Sequence, residues 1–359
     1  MNQRVFKDED FRTCGMLFSD ADVDFHLELT RSLWDGSAHP LLVTPNFSVR
    51  SFFFDSGVMG LRISSKDMEV TFCPWKGMQI WRFEAGGQDV TMKSTFEEPT
   101  DSTSFLENYG AFMLHCGLTG IGHPSSKDMH AHHGELPNGR MERVWIESRS
   151  LEESSFLLIG GSRRIRISHF CNLDFTVQVA LVPSCSRMFV QANIENCGNN
   201  DFDYSYLCHI NWRLPESGLL FPSNHFSTDF EERMGEVDGK LSADFLKRVS
   251  ISSDQCDVVS KHEGIFPEYC CRFDIDDENN DWVESTMKSE IGTYAVAYRS
   301  REFGHFLRWI SNTGDESAAG FCLPSTGSDD GRLANDEKGF LRRLRAGEKC
   351  EHLMCIGVN

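Results

Sequence analysis

The chain has 359 residues, of which 40% are hydrophobic and 25% are charged, as is typical of a folded globular protein. Its 54 acidic and 35 basic residues give a net charge of −19, which repels phosphate backbones and anionic membranes at long range. We therefore expect no nucleic-acid partner and no membrane partner. The substrate is expected to be neutral, or to bind in a pocket with compensating charge.

The N-terminal segment and the cysteines bear on localisation. The first residues, MNQRVFKDEDF, mix acids and bases and hold no apolar core of signal-peptide length. No apolar run approaches the ~18 residues of a membrane-spanning helix. The 13 cysteines are an odd number, and no two of them form a C-x-x-C motif. These observations predict a reduced, cytoplasmic protein without a disulfide framework.

The predicted elements, taken along the chain, are mostly strands. Apolar and polar residues alternate over 23–29, where a helix is also possible, and over 174–183, where a proline ends the run. The longest alternation covers 202–212 and puts aromatic residues on one face and polar residues on the other. Helical patterns are few and short, and the best covers 242–249. With no repeat or linker in between, residues 1–359 are predicted to form one large, mostly antiparallel β domain.

A histidine-rich segment, residues 107–147, is the first candidate for a functional site. Its glycines permit close backbone approach and positive φ angles, which suit loops that border a pocket. The segment contains five of the 13 histidines of the chain: His115, His123, His130, His132 and His133.

The run HAHH at 130–133 leaves a metal site open as an alternative, because imidazole is a common ligand of transition metals. On a strand, however, His130 and His132 would share a face and His133 would point away from them. Glu135 also follows too soon to match the wider His-x-His…Glu spacing of cupin metal sites. We therefore predict no metal.

The second candidate is the polar face of the strand over 202–212. His209 and Asn211 share this face with Asp203 and Ser205, opposite the aromatic residues. Such a face is either solvated surface or the lining of a cleft, and the residues alone favour neither interpretation.

Two stretches resemble a known family. HHGELPN at 132–138, followed by NIENCGNNDFDYSYLCHINW at 193–212, is similar to the galactose mutarotase-like superfamily, and more closely to a less characterised aldose 1-epimerase-like branch. The tail over 320–358 also resembles that branch. Residues 71–359 form the matched core, whereas residues 1–70 match weakly.

The resemblance implies a large antiparallel β-sandwich whose concave sheet face holds a monosaccharide. It also implies a mechanism without a cofactor, in which one group takes the proton of the anomeric hydroxyl and another protonates the ring oxygen, so that the ring opens and closes again. Histidine suits this chemistry because its pKa lies near neutrality. His209 matches the general acid of the family, and His133 matches its sugar-binding histidine; we take both as the catalytic candidates.

Five further residues are candidate sugar contacts. Some belong to the matched motifs, and the tryptophans offer an aromatic platform for the C–H face of a sugar. We expect His115, His133, His209 and Asn211 to converge on one cleft, with the aromatic face of the 202–212 strand buried behind it. The candidate contacts are His115, Glu135, Asn211, Trp212 and Trp81.

One departure from the family concerns the general base, a glutamate in the turn that corresponds to 320–327. Leu323 or Pro324 holds that place here, depending on the alignment, and neither side chain accepts a proton. Asp329, Asp330 and Glu316 are nearby in sequence, but no spacing selects one of them.

Three functions follow from this departure. The first and preferred function is an aldose 1-epimerase, with His133 or a remote carboxylate as the base. The second is a sugar-binding or regulatory protein without catalysis, and the third is a cupin-like metal-dependent sugar isomerase. The sequence indicates neither the sugar nor the oligomeric state.

Overall fold

Two large antiparallel sheets make up most of the protein in the computed structural model, as the strand patterns and the resemblance predict. The helix predicted over 242–249 lies outside the described residues. The structure describes residues 4–36, 40–221, 226–234, 258–275 and 282–359.

The first sheet has ten strands, with all strands numbered β1 to β23 along the chain. They are β1 (Asp22–Glu28), β9 (Arg143–Leu151), β10 (Ser154–Ile167), β11 (Cys171–Leu181), β12 (Ser186–Asn196), β14 (Gly218–Phe221), β16 (Val258–Val259), β18 (Trp282–Lys288), β19 (Thr293–Arg299) and β23 (Lys349–Val358). Their order across the sheet is β1-β9-β10-β11-β12-β23-β19-β18-β14-β16. The strands predicted over 23–29 and 174–183 are confirmed as β1 and β11.

The second sheet has 13 strands. They are β2 (Leu42–Val43), β3 (Ser48–Phe53), β4 (Met59–Ser64), β5 (Met68–Cys73), β6 (Gln79–Ala85), β7 (Gln88–Asp89), β8 (Met113–Leu118), β13 (Phe202–Ile210), β15 (Phe226–Met234), β17 (Ile265–Ile275), β20 (His305–Asn312), β21 (Ser317–Ser325) and β22 (Arg342–Leu344). The main path is β15-β17-β20-β21-β13-β8-β6-β5-β4-β3-β2, while β22 pairs with β13 and β7 pairs with β6.

The helices among the described residues are short. The helix α1 (Asp8–Leu17) buries Phe11, Cys14 and Leu17 in an apolar cluster with residues of the ten-stranded sheet, so it covers the outer face of that sheet. The other helical segments of the described part of the chain are a 3-10 turn (Arg31–Leu33), α2 (Ser300–Phe303), whose Phe303 is buried in the main core, and α3 (Arg332–Glu337). Among the described residues, no helix is long and apolar enough to cross a membrane.

Strand β13 determines where the functional side chains point, because successive side chains of a strand project to opposite faces. Tyr206 projects between the sheets, where its ring centre lies 6.3 Å from that of Phe175 on β11. Leu207 and His209 project to the other face and line a cavity. The alternation predicted over 202–212 is confirmed, and it leaves the polar face of β13 looking away from the core.

Candidate functional site

A cavity of about 500 Å³ lies on the outward face of the 13-stranded sheet. Its floor is formed by neighbouring strands, with His209 on β13, Leu323 on β21, Trp309 on β20 and Glu268 on β17. Its walls come from loops that include residues 105–109 and 123–133. A concave site of this volume, with a mostly apolar lining and a few polar groups, is typical of small-molecule binding.

His209 lies at the centre of the cavity and is only 3% exposed. Its ring centre is 5.3 Å from that of Trp309, 5.4 Å from that of His133 and 5.9 Å from that of Tyr109. Burial lowers the pKa of His209 to about 4, so the ring is neutral near pH 7. Among the described residues, none forms a hydrogen bond with its buried Nδ1.

Tyr109 lies between His209 and Asn211. Its hydroxyl donates a hydrogen bond to Asn211 Oδ1 at 3.2 Å and lies 3.5 Å from His209 Nε2. Asn211 is fully buried, and its Nδ2 donates to the carbonyl of Ala111 at 2.9 Å. Asn211 therefore fixes the position of Tyr109. Tyr109 lines the cavity, whereas Asn211, which was expected in the cleft, lies behind it and is not a lining residue.

His133 reaches the cavity from a loop in which its backbone has φ +58°. The backbone N–H of Gly122 donates to His133 Nδ1 at 3.2 Å. Since an N–H group can only donate, Nδ1 carries no proton and the neutral ring carries its proton on Nε2. Phe105 packs against the ring, with centres 4.6 Å apart. His133 is thus held as a hydrogen-bond donor beside His209.

Carboxylates supply the charge of the cavity. Glu268 Oε2 accepts a hydrogen bond from Trp309 Nε1 at 2.7 Å, and Glu316 Oε1 accepts one from the hydroxyl of Thr95 at 3.1 Å. Asp329 also lines the cavity and is 9% exposed. No lysine or arginine lines it within the described part of the chain.

Of the two residues in the turn that the resemblance matches to a glutamate, Leu323 lines the cavity, and Pro324 is not among its lining residues. Of the three acids near it in sequence, Glu316 and Asp329 line the cavity. Asp330 forms an ion pair with Lys338 at 3.0 Å instead.

His115 lies on the opposite side of the sheet, which corrects its expected placement in the cleft. It pairs in register with Cys208, so the two side chains share the face toward the core. Its Nδ1 lies 2.8 Å from the hydroxyl of Tyr206, and burial lowers its pKa to about 3. His115 is a core residue.

Both tryptophans that were expected to form a sugar platform are also in the core, and this expectation is corrected too. Trp212 is fully buried and stacks on Tyr294, with ring centres 4.8 Å apart. Trp81 is 1% exposed and donates from Nε1 to the carbonyl of Glu97 at 3.3 Å. Trp309 takes their place as the aromatic surface of the cavity.

Glu135 supports the loop rather than lining the cavity. Its Oε2 accepts hydrogen bonds from the backbone N–H groups of Leu118 and Thr119, both at 3.1 Å, and its Oε1 accepts one from the Thr119 hydroxyl. These bonds satisfy the backbone at the end of β8, which carries the loop toward the cavity.

The HAHH run does not act as one cluster. His132 and His133 line the cavity, whereas both nitrogens of His130 are engaged elsewhere, with the carbonyl of Ala131 at 2.7 Å and the backbone N–H of Arg332 at 3.2 Å. Among the described residues, no group of three or more histidines, cysteines or acids is arranged to hold a metal ion.

Sequence reasoning missed Phe105, Tyr109, Glu268 and Trp309. Tyr109 lies inside the histidine-rich segment, and Trp309 lies in an apolar run typical of a core strand, so neither differs locally from a structural residue. Glu268 follows Pro267 with no motif around it. Only the arrangement of β17, β20 and β13 brings these side chains together.

Solved structures with the same fold are known. A Klebsiella pneumoniae protein provisionally named an aldose 1-epimerase has a TM-score of 0.75 and 16% identity, over 93% of this chain and 87% of its own. A galactose mutarotase-like protein from Clostridium acetobutylicum has a TM-score of 0.58 and 9% identity, over 88% and 99%. A galactose mutarotase related enzyme from Lactobacillus acidophilus has a TM-score of 0.56 and 12% identity, over 84% and 97%. Identities this low establish the fold alone.

No protein with a curated description matches the chain. The model of one family, described as a domain of unknown function (DUF4432), matches residues 55–358. Because this match covers most of the chain, the protein belongs to the DUF4432 family, and it has the galactose mutarotase-like sandwich fold.

Proposed function

We propose that the protein is a carbohydrate epimerase of the aldose 1-epimerase type, which interconverts the anomers of a monosaccharide. One observation carries this proposal: His209, His133 and a set of carboxylates surround a cavity of about 500 Å³ that also presents the ring of Trp309. Proton donors and acceptors on opposite sides of a sugar-sized space are what ring opening requires. An indole suits the apolar C–H face of a sugar.

The proposed reaction moves one proton on each side of the sugar. A carboxylate takes the proton of the anomeric hydroxyl while protonated His209 gives a proton to the ring oxygen. The bond between the anomeric carbon and the ring oxygen breaks, and a carbonyl group forms. After rotation about the adjacent carbon–carbon bond, the carboxyl group returns its proton to the carbonyl oxygen and His209 takes back a proton from the hydroxyl group that attacks the carbonyl carbon. The ring closes with the opposite anomer.

His133 and Tyr109 are assigned to binding. His133 lines the cavity beside His209, where its ring is placed to contact a sugar. Tyr109 remains a phenol, since burial raises its pKa well above the usual value, so it acts as a neutral hydrogen-bonding group beside His209.

Glu268 is our candidate for the base. It lines the cavity, and the bond to Trp309 holds its carboxylate beside the aromatic surface on which the sugar would lie. Its charge also acts on Tyr109, where it contributes to the raised pKa. Glu268 thus takes the role that Leu323 cannot perform.

The test is anomer exchange measured by NMR across a panel of aldoses, with wild type, His209→Asn and Glu268→Gln. Each variant should lose about 10²–10⁴-fold in the enzyme-catalysed rate, while sugar affinity measured by calorimetry stays within several-fold. His169→Asn is the matched control, because His169 is an exposed histidine with φ +63° that asparagine tolerates. If either variant exchanges anomers at the wild-type rate, the role assigned to the substituted residue is refuted.

A sugar-binding protein without catalysis is the second candidate function. The apolar side chain of Leu323 in the cavity and the neutral state of His209 near pH 7 favour it. It predicts binding of an aldose, weakened by Trp309→Ala, with no acceleration of exchange by wild type at any pH. That combination would replace the epimerase proposal.

A further inference from the structure

A second cavity, of about 300 Å³, lies apart from the first. Arg31, Lys76 and Arg140 line it, against the single carboxylate of Asp101. Three positive charges and one negative charge leave a local balance of two positive charges in a chain whose net charge is −19. The first cavity shows the reverse pattern, with carboxylates and no lysine or arginine among its described lining residues.

The indole of Trp75 also lines this cavity, beside one of the basic groups. The guanidinium carbon of Arg31 lies 5.4 Å from the ring centre of Trp75, within the range of a cation–π contact. The Nε1 of Trp75 is buried, and no described residue accepts a hydrogen bond from it. An indole donor without an acceptor beside a cationic cavity favours a ligand with exposed oxygen atoms.

Lys76 is the buried member of the basic set, only 9% exposed. Its Nζ donates to the carbonyl of Ser102 at 2.5 Å. Burial is the main influence on its pKa, which is lowered from the ordinary value although Cys73 and Asp101 oppose the shift. An anion in the cavity would offset this unfavourable burial of charge.

We propose that the second cavity binds a small anionic metabolite, such as a sugar that carries a phosphate or a carboxylate group. The guanidinium groups of Arg31 and Arg140 match the oxygen pairs of either anion. Trp75 supplies a surface for the apolar part of the ligand.

Two loops each contribute residues to both cavities, so occupancy of one cavity should affect the other. In the loop over 101–109, Asp101 lines the second cavity and Tyr109 lines the first. In the loop over 132–140, His133 lines the first cavity and Arg140 lines the second. The side chain of Asn108 donates to Oδ1 of Asn138 at 2.8 Å and connects the two loops. We therefore assign the anion the role of an effector rather than a substrate.

The experiment is calorimetric titration of wild type with glucose 6-phosphate, glucuronate, inorganic phosphate and glucose. At least one of the two sugar anions should bind, with an affinity that falls as salt is added. Arg140→Gln should weaken that binding about tenfold or more, as expected when a charge-assisted hydrogen bond is lost. The control is Arg166→Gln, which removes an exposed arginine that lines neither cavity. Equal binding by both variants, or no binding of any anion by wild type, would overturn the proposal.

Two further readouts locate the ligand and test its role. Glucose should change the affinity for the anion by no more than a limiting factor, because the two sites are coupled and not shared. An anion affinity that falls without limit as glucose is added, or that is weakened by Trp309→Ala but not by Arg140→Gln, would place the anion in the first cavity and refute the second site. A saturating anion should also change the affinity of the first cavity for glucose or the rate of anomer exchange, and no change in either would refute the effector role. The heat of anion binding does not depend on catalysis. The anion site can therefore be tested by calorimetry even if the protein shows no epimerase activity.

Discussion

The titration of His209 makes the epimerase proposal testable without a mutation. Burial lowers the pKa of this residue to about 4. If protonated His209 is the acid, its active form is about one molecule in ten at pH 5 and about one in a thousand at pH 7. The value of kcat/KM should therefore rise about 100-fold between pH 7 and pH 5, because that parameter reports the ionisation of the free enzyme.

The assay is exchange NMR or polarimetry at closely spaced pH values, with the spontaneous rate subtracted at each one. His209→Asn gives the background of the protein without this proton donor and should show no comparable rise toward acid. Circular dichroism at each pH establishes that the fold is intact where the rate is read.

The direction of the change decides the role. A kcat/KM that is nearly constant from pH 7 to pH 5 and falls only near and below pH 4 would show that neutral His209 is the active form and accepts a proton, because about nine molecules in ten are already neutral at pH 5. A kcat/KM that also stays flat through pH 4, with exchange still lost in His209→Asn, would show that His209 acts without changing its protonation state. Either result would refute His209 as the general acid.

Two more predictions concern single positions. Burial lowers the pKa of His115 to about 3, whereas the unfolded chain has the ordinary value of about 6.5. The unfolded state therefore binds a proton before the folded state does, and the folded state loses stability as pH falls below about 6.5. The free energy of unfolding, measured with urea, should fall by up to ~1.4 kcal/mol per pH unit through this residue between about pH 6 and pH 4. His115→Gln should reduce this dependence of the unfolding free energy on pH by that amount without changing sugar affinity. An unchanged pH dependence would contradict the core placement. In the Glu268→Gln background, Leu323→Glu places a proton acceptor in the cavity and should restore anomer exchange by about 10²-fold or more. An equal rate in the matched double variant with Leu323→Gln would show that the lost base does not limit exchange.

The sequence alone determined the fold and part of the site. Alternation with a period of two is a local property of the β13 sequence. It is sufficient to place His209 and Tyr206 on opposite faces of the strand, whatever the neighbouring strands are. The resemblance to the galactose mutarotase-like superfamily added His133 and the position of Leu323.

The tertiary structure decided the rest. Strand β8 is buried on both faces, so its sequence has no alternation to show which side His115 takes, and only its register against β13 places it in the core. Trp212 and Trp81 satisfy the same aromatic criterion as Trp309. Packing against Tyr294 of the other sheet buries Trp212, and the segment that carries Glu97 and Gly110 covers Trp81. Glu268 and Trp309 reach His209 only because β17, β20 and β21 lie side by side with β13, and pairing between strands far apart in sequence leaves no mark in the local pattern.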